Sequence, residues 1–238
     1  MMETMTGKHT GTHVYDAKLD ASSDLQSFFE SDNLVVATRF FRNPRLIADL
    51  EERLVPALVK GPLQNGRELR IWCAGCSDGR EAYSFAIAAN RALQRQNRTI
   101  DVDVRGSDLS RPQIGKALNG VFTVNGQDRA MVEAYSEYFE PAGGNKVTVI
   151  PAIKQQVNFF IEDIISSIKE NRYDILICSL VVLYYDPDYQ KEIVRELITS
   201  VKPGGYFYIA PVNKRALERA GHRPVGGRSG SFFQRLNE

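Results

Sequence analysis

Cysteine is scarce in this 238-residue chain, and its three copies, Cys73, Cys76 and Cys178, are too few for the disulfide framework of a small secreted domain. Cys73 and Cys76 form a C-x-x-C, but no second pair offers the remaining ligands of a zinc site. Small buried side chains and no metal are therefore expected. Charge imbalance is missing as well: 30 Lys and Arg stand against 29 Asp and Glu, a net charge of +1. Without a block of one sign, nothing calls for nucleic acid or an anionic membrane surface as a partner. No apolar run approaches the roughly 20 residues that span a bilayer, and the polar opening MMETMTGKHTGTH lacks the apolar core of a secretory signal. A cytoplasmic protein, monomer or homodimer, is expected. Histidine is rare too. Of three copies, His9 and His13 have helical i, i+4 spacing but fall in a polar terminus expected to be disordered, and none stands near an expected strand end.

Two familiar phosphate-binding signatures are also absent from the glycine-containing stretch around which the chain is organised. Leu69 to Leu93, LRIWCAGCSDGREAYSFAIAANRAL, reads as a buried strand, a tight turn and a helix, with Gly75 and Gly79 supplying φ freedom at the turn. The two glycines stand four apart, which is not G-x-G-x-x-G, and no Lys follows Gly79, which excludes a Walker loop. The missing dinucleotide fingerprint disfavours a nicotinamide oxidoreductase. The turn still opens a helix, whose first N–H groups and partial positive charge suit an anionic or electron-rich ligand edge. The next strand, VDVRGSDL, ends in Asp108, where an acidic residue of an open α/β sheet accepts hydrogen bonds from ribose hydroxyls. Turn and aspartate together predict a nucleoside-containing ligand.

The remaining segments read in order. Residues 1–22 are expected to be disordered and 23–60 to hold two helices, the second starting at Pro44 with Asn43 as cap and kinking or ending at Pro56. Residues 61–238 are expected to form the ligand-binding domain. Ser110 caps a helix running to Leu118, and a further helix covers Asp128 to Phe139. KVTVI and QVNFFI, after a Gly-Gly turn, predict a small antiparallel insertion at about 140–160. YDILICSLVVLYY reads as a strand covered on both faces and ended by Asp186 and Pro187. Ile193, Val194, Leu197, Ile198 and Val201 make one helix face, KPGG a turn, YFYIA a strand and SFFQRL a final strand. Alternating strands and helices imply an α/β fold with a mostly parallel sheet, right-handed crossovers and a ligand crevice at the strand carboxyl ends.

With these segments placed, the chain resembles the CheR-type S-adenosylmethionine methyltransferases, which methyl-esterify glutamate side chains of chemotaxis receptors. TRFFRNP (Thr38–Pro44), IWCAGCSDGREAYS (Ile71–Ser84), GSDLS (Gly106–Ser110), VNFFIEDI (Val157–Ile164) and YDILICSLVVLYYD (Tyr173–Asp186) stand in the family's order. The resemblance implies a Rossmann-like class I methyltransferase with a seven-stranded sheet and a β subdomain, and S-adenosyl-L-methionine as cofactor with S-adenosyl-L-homocysteine as product. It implies that Arg42 and Tyr184 flank the reacting centre, that Gly75 and Gly79 form the turn under the cofactor, that Glu81 meets its amino group and that Asp108 holds the ribose. Asp163 and Ile164 align with a pair beside the adenine, and Thr38, Ala74, Cys76, Leu109, Ser179, Leu180 and Val181 complete the implied cofactor contacts. The chain departs from the family at Ser179-Leu180, where Arg-Asn is usual, and in its N-terminal helical domain, represented by about 35 dissimilar residues.

Methyl transfer from a sulfonium is an in-line displacement in which positioning supplies most of the acceleration. A carboxylate is ionised at neutral pH, whereas an alcohol needs a base, and histidine is scarce; an acidic oxygen is the expected acceptor. The expectation is an O-methyltransferase acting on a non-receptor, small-molecule acceptor, with protein-glutamate methylation of chemoreceptors and a catalytically weak cofactor sensor or scaffold as alternatives.

Overall fold

The β1 strand (Leu69–Ala74) shows why the chain must fold in three layers, since every second side chain enters a different core. Leu69, Ile71 and Cys73 join one buried cluster and Trp72 and Ala74 the other. A strand buried on both faces requires helices on both sides. A computed structural model describes residues 38–226 and 231–236; the expected disordered terminus, the His9/His13 pair and the helix expected before Ala37 lie outside the described residues. On one face lie α1 (Pro44–Asp49), a π-helical turn (Leu50–Leu54), α2 (Val55–Lys60) and the long α3 (Arg80–Arg95). α6 (Gln190–Thr199) covers the other.

The main sheet is seven-stranded, in the order β6-β2-β1-β7-β8-β10-β9. Its strands are β6 (Val157–Ile161), β2 (Val102–Asp108), β1, β7 (Tyr173–Ser179), β8 (Val201–Ala210), β10 (Phe233–Gln234) and β9 (Arg223–Pro224). The first five pair in parallel and the last two antiparallel. Strand order reverses between β1 and β7, so the loops leaving their carboxyl ends diverge and open a crevice. Among the described residues no helix is long and apolar enough to cross a membrane.

Several expected elements fall differently. Pro56 neither ends nor breaks its helix. The helix widens into the π-helical turn just before it and continues to Lys60, so the missing proline N–H falls where the bonding pattern already shifts. The small antiparallel sheet has three strands, β3 (Val121–Thr123), β5 (Lys146–Val149) and β4 (Phe139–Pro141). QVNFFI is not part of it; as β6 it joins the main sheet beside β2, with Val157 opposite Val104. The helix expected over Asp128–Phe139 is α5 (Gly126–Ala134) followed by a 3-10 turn, Ser136–Tyr138. KPGG lies within β8, where a register irregularity absorbs it. β7 stops at Ser179, and Val181–Tyr184 form a 3-10 turn. α4 (Arg111–Asn119) starts as expected, with the Ser110 hydroxyl accepting from the Gln113 N–H at 3.4 Å.

Gly79 ends the turn before α3 with φ +86°, and a Cβ there would stand 2.7 Å from the Ala117 Cβ and 2.8 Å from the Phe159 ring. Both a left-handed backbone and tight packing between α3, α4 and β6 therefore demand glycine. Gly66, with φ +74°, has nothing within 4 Å of such a Cβ. Gly66→Ala should cost about 1–2 kcal/mol from backbone strain alone, and Gly79→Ala roughly 1–3 kcal/mol beyond that from overpacking. Denaturant midpoints measure both, and equal losses would remove the packing claim.

Candidate functional site

Asp108 closes β2 at the floor of the crevice, and its carboxylate is held by two backbone donors. The Ser77 N–H donates to Oδ2 at 2.8 Å and the Ser110 N–H to Oδ1 at 2.9 Å. These bonds fasten the Gly75–Gly79 turn to the entry of α4. Burial raises the Asp108 carboxyl above the ordinary aspartate range, while the two N–H donors pull it back down. Each oxygen keeps further lone pairs for hydroxyl donors. Gly75 is needed because the turn runs hard against the segment after β7: a Cβ there would lie 2.0 Å from the Val181 Cγ2.

The other end of the crevice is built on Glu81, in the first turn of α3. Its Oε2 accepts from the Ser179 hydroxyl at 3.0 Å and faces Arg42 Nη2 at 3.7 Å. Its Oε1 is buried and has no hydrogen-bond partner. Burial raises the Glu81 carboxyl, opposed by Arg42 and then by Ser179. A buried carboxylate oxygen without a donor fits a ligand ammonium placed here, and Asp108 at the opposite end fits a diol. The residues present thus suit a ligand carrying both an amino-acid end and a ribose.

Arg42 is delivered by two aromatic anchors. The Phe40 N–H donates to Asp128 Oδ1 at 3.2 Å, and its ring meets Phe122 and Phe139 edge-on with centroids 5.0 and 4.9 Å apart. The Phe41 N–H donates to the Ser84 Oγ at 2.9 Å, and its ring stacks on Tyr135 at 3.9 Å. With both rings buried, the next residue is directed into the crevice.

Of the residues singled out from the sequence, Thr38, Arg42, Gly75, Cys76, Glu81, Asp108, Leu109, Ile164, Ser179, Leu180, Val181 and Tyr184 line one cleft. Ala74, Gly79 and Asp163 do not. Ala74 is fully buried at the end of β1, and Gly79 faces Ala117 and Phe159. Asp163 is buried beside the cleft, where it accepts from the Ile165 N–H at 2.8 Å and from the Tyr185 hydroxyl at 3.0 Å; it caps a turn. Its neighbours Glu162 and Tyr185 line the cleft instead, together with Ser77, Ser110 and Gln113. Ser77, Ser110 and Glu162 flank residues already singled out, so proximity in sequence was a usable signal; for Gln113 the sequence carries none. Burial pushes the Cys73 and Cys76 thiols well above their usual range and that of Cys178 up to about 12, as expected of inert packing groups. Among the described residues no group of three or more His, Cys, Asp or Glu could hold a metal ion.

Comparison with known proteins gives this cleft a family. A chemotaxis protein methyltransferase of Pseudomonas aeruginosa is 28% identical over 177 residues, which is 72% of this chain and 64% of that protein. An uncharacterised 104.1 kDa protein of Rhodobacter capsulatus is 29% identical over 176 residues, 74% of this chain but 18% of that one. The chain thus spans less than two thirds of the length of these relatives. Among solved structures, N-methyltransferase NodS of Bradyrhizobium japonicum in complex with S-adenosyl-L-homocysteine aligns with 12% identity and a TM-score of 0.45, covering 90% of this chain and 98% of that one. The model of the CheR methyltransferase SAM-binding domain matches residues 36–214, which contain every element that builds the cleft. The chain belongs to the CheR methyltransferase family, and the region that forms the cleft is its S-adenosyl-L-methionine-binding domain.

Proposed function

We propose that the protein is an S-adenosyl-L-methionine-dependent O-methyltransferase that esterifies a carboxylate. The observation that carries this reading is the chemistry of the cleft wall: among the described lining residues there is no histidine or lysine to deprotonate an acceptor. An acceptor that arrives ionised needs no base, and a carboxylate does so at neutral pH. The cofactor supplies an activated methyl group, whose bond to sulfur breaks as a carboxylate oxygen bonds to its carbon, giving a methyl ester and S-adenosyl-L-homocysteine without proton transfer. Asp108 would hold the ribose and Glu81 the ammonium, so that the methyl-bearing end faces Arg42 and Tyr184. Arg42 offers a guanidinium that matches a carboxylate bidentately. Tyr184, in the cleft wall, offers an aromatic face that would favour a positive sulfur.

For the acceptor, the expectation of a small, non-receptor molecule finds no support in the comparisons. The relatives in question are named chemotaxis protein methyltransferases, which favours a glutamate side chain on a protein. Tyr184 lines the cleft and is 43% exposed, which supports an acceptor side chain presented from solvent.

Calorimetry with S-adenosyl-L-homocysteine should show one-site binding that Asp108→Ala weakens at least tenfold; no binding by the unaltered protein would end the proposal. Methyl esters release methanol in mild alkali. Binding without alkali-labile methanol from any protein or free-acid pool would leave the cofactor-sensor reading in its place.

Glu81 gives the binding a pH dependence of defined sign. Because burial raises its carboxyl, Glu81 is neutralised at a higher pH than free glutamate, and the ammonium of the ligand then loses its counter-charge. Affinity for S-adenosyl-L-homocysteine should fall as pH drops through the raised Glu81 range, above that of free glutamate. Arg42, Asp108 and Glu162 are the other charged side chains that line the cleft. Burial raises Asp108 likewise, whereas at Glu162 the effect of burial is outweighed by the Ser167 hydroxyl and Arg105, which hold that carboxyl below the usual range. Glu81→Gln should lower affinity on the order of tenfold at neutral pH, the loss of a charge-assisted hydrogen bond, and flatten this pH profile. An unchanged profile would place the titrating group elsewhere.

A further inference from the structure

Tyr185 and Asp163 stand 22 residues apart in the chain, yet the Tyr185 hydroxyl donates to the Asp163 carboxylate, 3.0 Å from Oδ1 and 3.0 Å from Oδ2. Sheet order makes this a long reach. Asp163 follows β6 and Tyr185 follows β7, and both β2 and β1 lie between those strands. At a spacing of about 4.8 Å per strand, the ends of β6 and β7 are roughly 14 Å apart. The two loops therefore lean toward each other across the width of β2 and β1, whose ends carry Asp108 and the Gly75–Gly79 turn. Both loops are cleft wall: Glu162 and Ile164 flank Asp163 and line the cleft, as do Tyr184 and Tyr185. Each loop is also held within itself. The Asp163 carboxylate accepts from the Ile165 N–H at 2.8 Å, and the Asp163 main-chain carbonyl accepts the Ser166 and Ser167 hydroxyls, each at 2.9 Å. On the other side the Tyr185 N–H donates to the Val182 carbonyl at 3.2 Å, and Gln190 Nε2 donates to the Tyr185 carbonyl at 2.9 Å. Ile164 and Val182 share one buried cluster. Apolar burial is non-directional, whereas the bond from phenol to carboxylate defines a distance.

We propose that Tyr185 and Asp163 are a positioning pair for the cofactor: their bond fixes the separation of the two wall segments and thereby slows the release of S-adenosyl-L-methionine and S-adenosyl-L-homocysteine. The pair acts through the wall. Without the hydroxyl both loops keep their internal bonds, but the segments that carry Ile164 and Tyr184 lose their set distance, and a ligand held by this wall leaves more readily. A carboxylate acceptor suits the task, because a charge-assisted hydrogen bond is stronger than one between neutral groups. The effect falls mostly on dissociation, as differences among variants of one binding site usually do. This inference rests on the cofactor-binding part of the reading above and is independent of the acceptor.

The test is a double-mutant cycle read in ligand affinity, with S-adenosyl-L-homocysteine as the probe and the full chain as the protein. Tyr185→Phe should weaken binding about tenfold in calorimetry, with dissociation in stopped-flow faster by a similar factor and association changed less than about twofold. Asp163→Asn keeps an acceptor oxygen and should stay within about threefold of the unaltered protein. In an Asp163→Ala background, where the acceptor is gone, adding Tyr185→Phe should change affinity less than about twofold. Denaturant midpoints of the same proteins report any contribution to folding separately. A lowered midpoint with unchanged affinity in Tyr185→Phe would make the pair a structural tie only and overturn the proposal. A tenfold loss that persists in the Asp163→Ala background would show the hydroxyl acting on the ligand itself, and would overturn it too. No binding by the unaltered protein would remove the cofactor reading and this pair together, whereas either of the other two outcomes removes the pair alone.

Discussion

Two backbone N–H groups converging on the Asp108 carboxylate are the contact on which the site depends. The turn from Gly75 to Gly79 contains a non-glycine residue, Ser77, with φ +51°, a conformation that persists only where neighbours determine it. The 2.8 Å bond from its N–H to Asp108 is such a constraint, and the backbone bonds from Gly75 and Cys76 to the Ser107 carbonyl, 2.8 and 3.0 Å, are two more. The same carboxylate receives the Ser110 N–H just before α4. One side chain thus ties the ends of two adjacent parallel strands to the helices that follow them. Because β1 and β2 run in register from Leu69 opposite Val102 to Ala74 opposite Ser107, the turn and the aspartate arrive at one level. Sheet register, turn and ligand end are a single geometric fact.

The small antiparallel sheet has a structural task that its place in the chain does not reveal. Phe122 and Phe139, from β3 and β4, close around the Phe40 ring, and Arg80 lies over both Phe40 and Phe122. Asp128, buried at the start of α5, accepts the Phe40 N–H. The excursion is therefore a clamp for the segment carrying Arg42. Aromatic pairs of this kind contribute about 0.5–1.5 kcal/mol each beyond burial, enough to hold one rotationally defined entry for the arginine. Glu51 plays a comparable role behind it: Tyr135, which stacks on Phe41, donates its hydroxyl to Glu51 Oε1 at 3.2 Å, and Arg95 bonds to Oε2 at 2.7 Å. The guanidinium at the cleft is anchored through three layers of contacts.

Much of this was legible in the residues, and the misreadings have physical causes. Leu69, Ile71 and Trp72 announced β1 as a buried strand, and Ser110 followed by Pro112 announced the start of α4. Local chemistry sufficed in both. QVNFFI was legible as a strand but not by partner, because period-two alternation specifies a face and not a neighbour; the free edge of β2 claimed it. KPGG has the composition of a turn, yet Gly204 at φ +78° bonds its N–H to the Arg235 carbonyl, so the strand carries the irregularity within its ladder. The apolar run past Ser179 promised more strand. It instead leaves the sheet at Leu180, because the backbone turns left-handed there, and composition cannot tell leucines that pack from leucines that face solvent. In the site, Arg42, Glu81, Asp108 and Tyr184 line the cleft, whereas Asp163 does not. Gln113 was missed because only the fold brings it to the cleft, and Glu162 because sequence cannot say which of two adjacent carboxylates faces the cleft.

The charge balance at Glu81 leaves one end of the cleft with a carboxylate that the protein alone does not fully compensate. Residues 42, 81 and 179 come from three separate segments, yet all meet at one carboxylate. Ser179 is neutral and shares only a hydrogen bond. Arg42 Nη2 at 3.7 Å is an ionic neighbour beyond hydrogen-bond length, and the remaining oxygen has no donor at all. A buried carboxylate left in that state carries an uncompensated desolvation cost of a few kcal/mol, which the protein alone does not recover. A ligand cation at Oε1 would recover it and let the carboxylate ionise fully. On the proposed reading, burial that looks like a defect in the protein by itself would favour an ammonium-bearing ligand, with Asp108 at the far end fixing where that ligand lies.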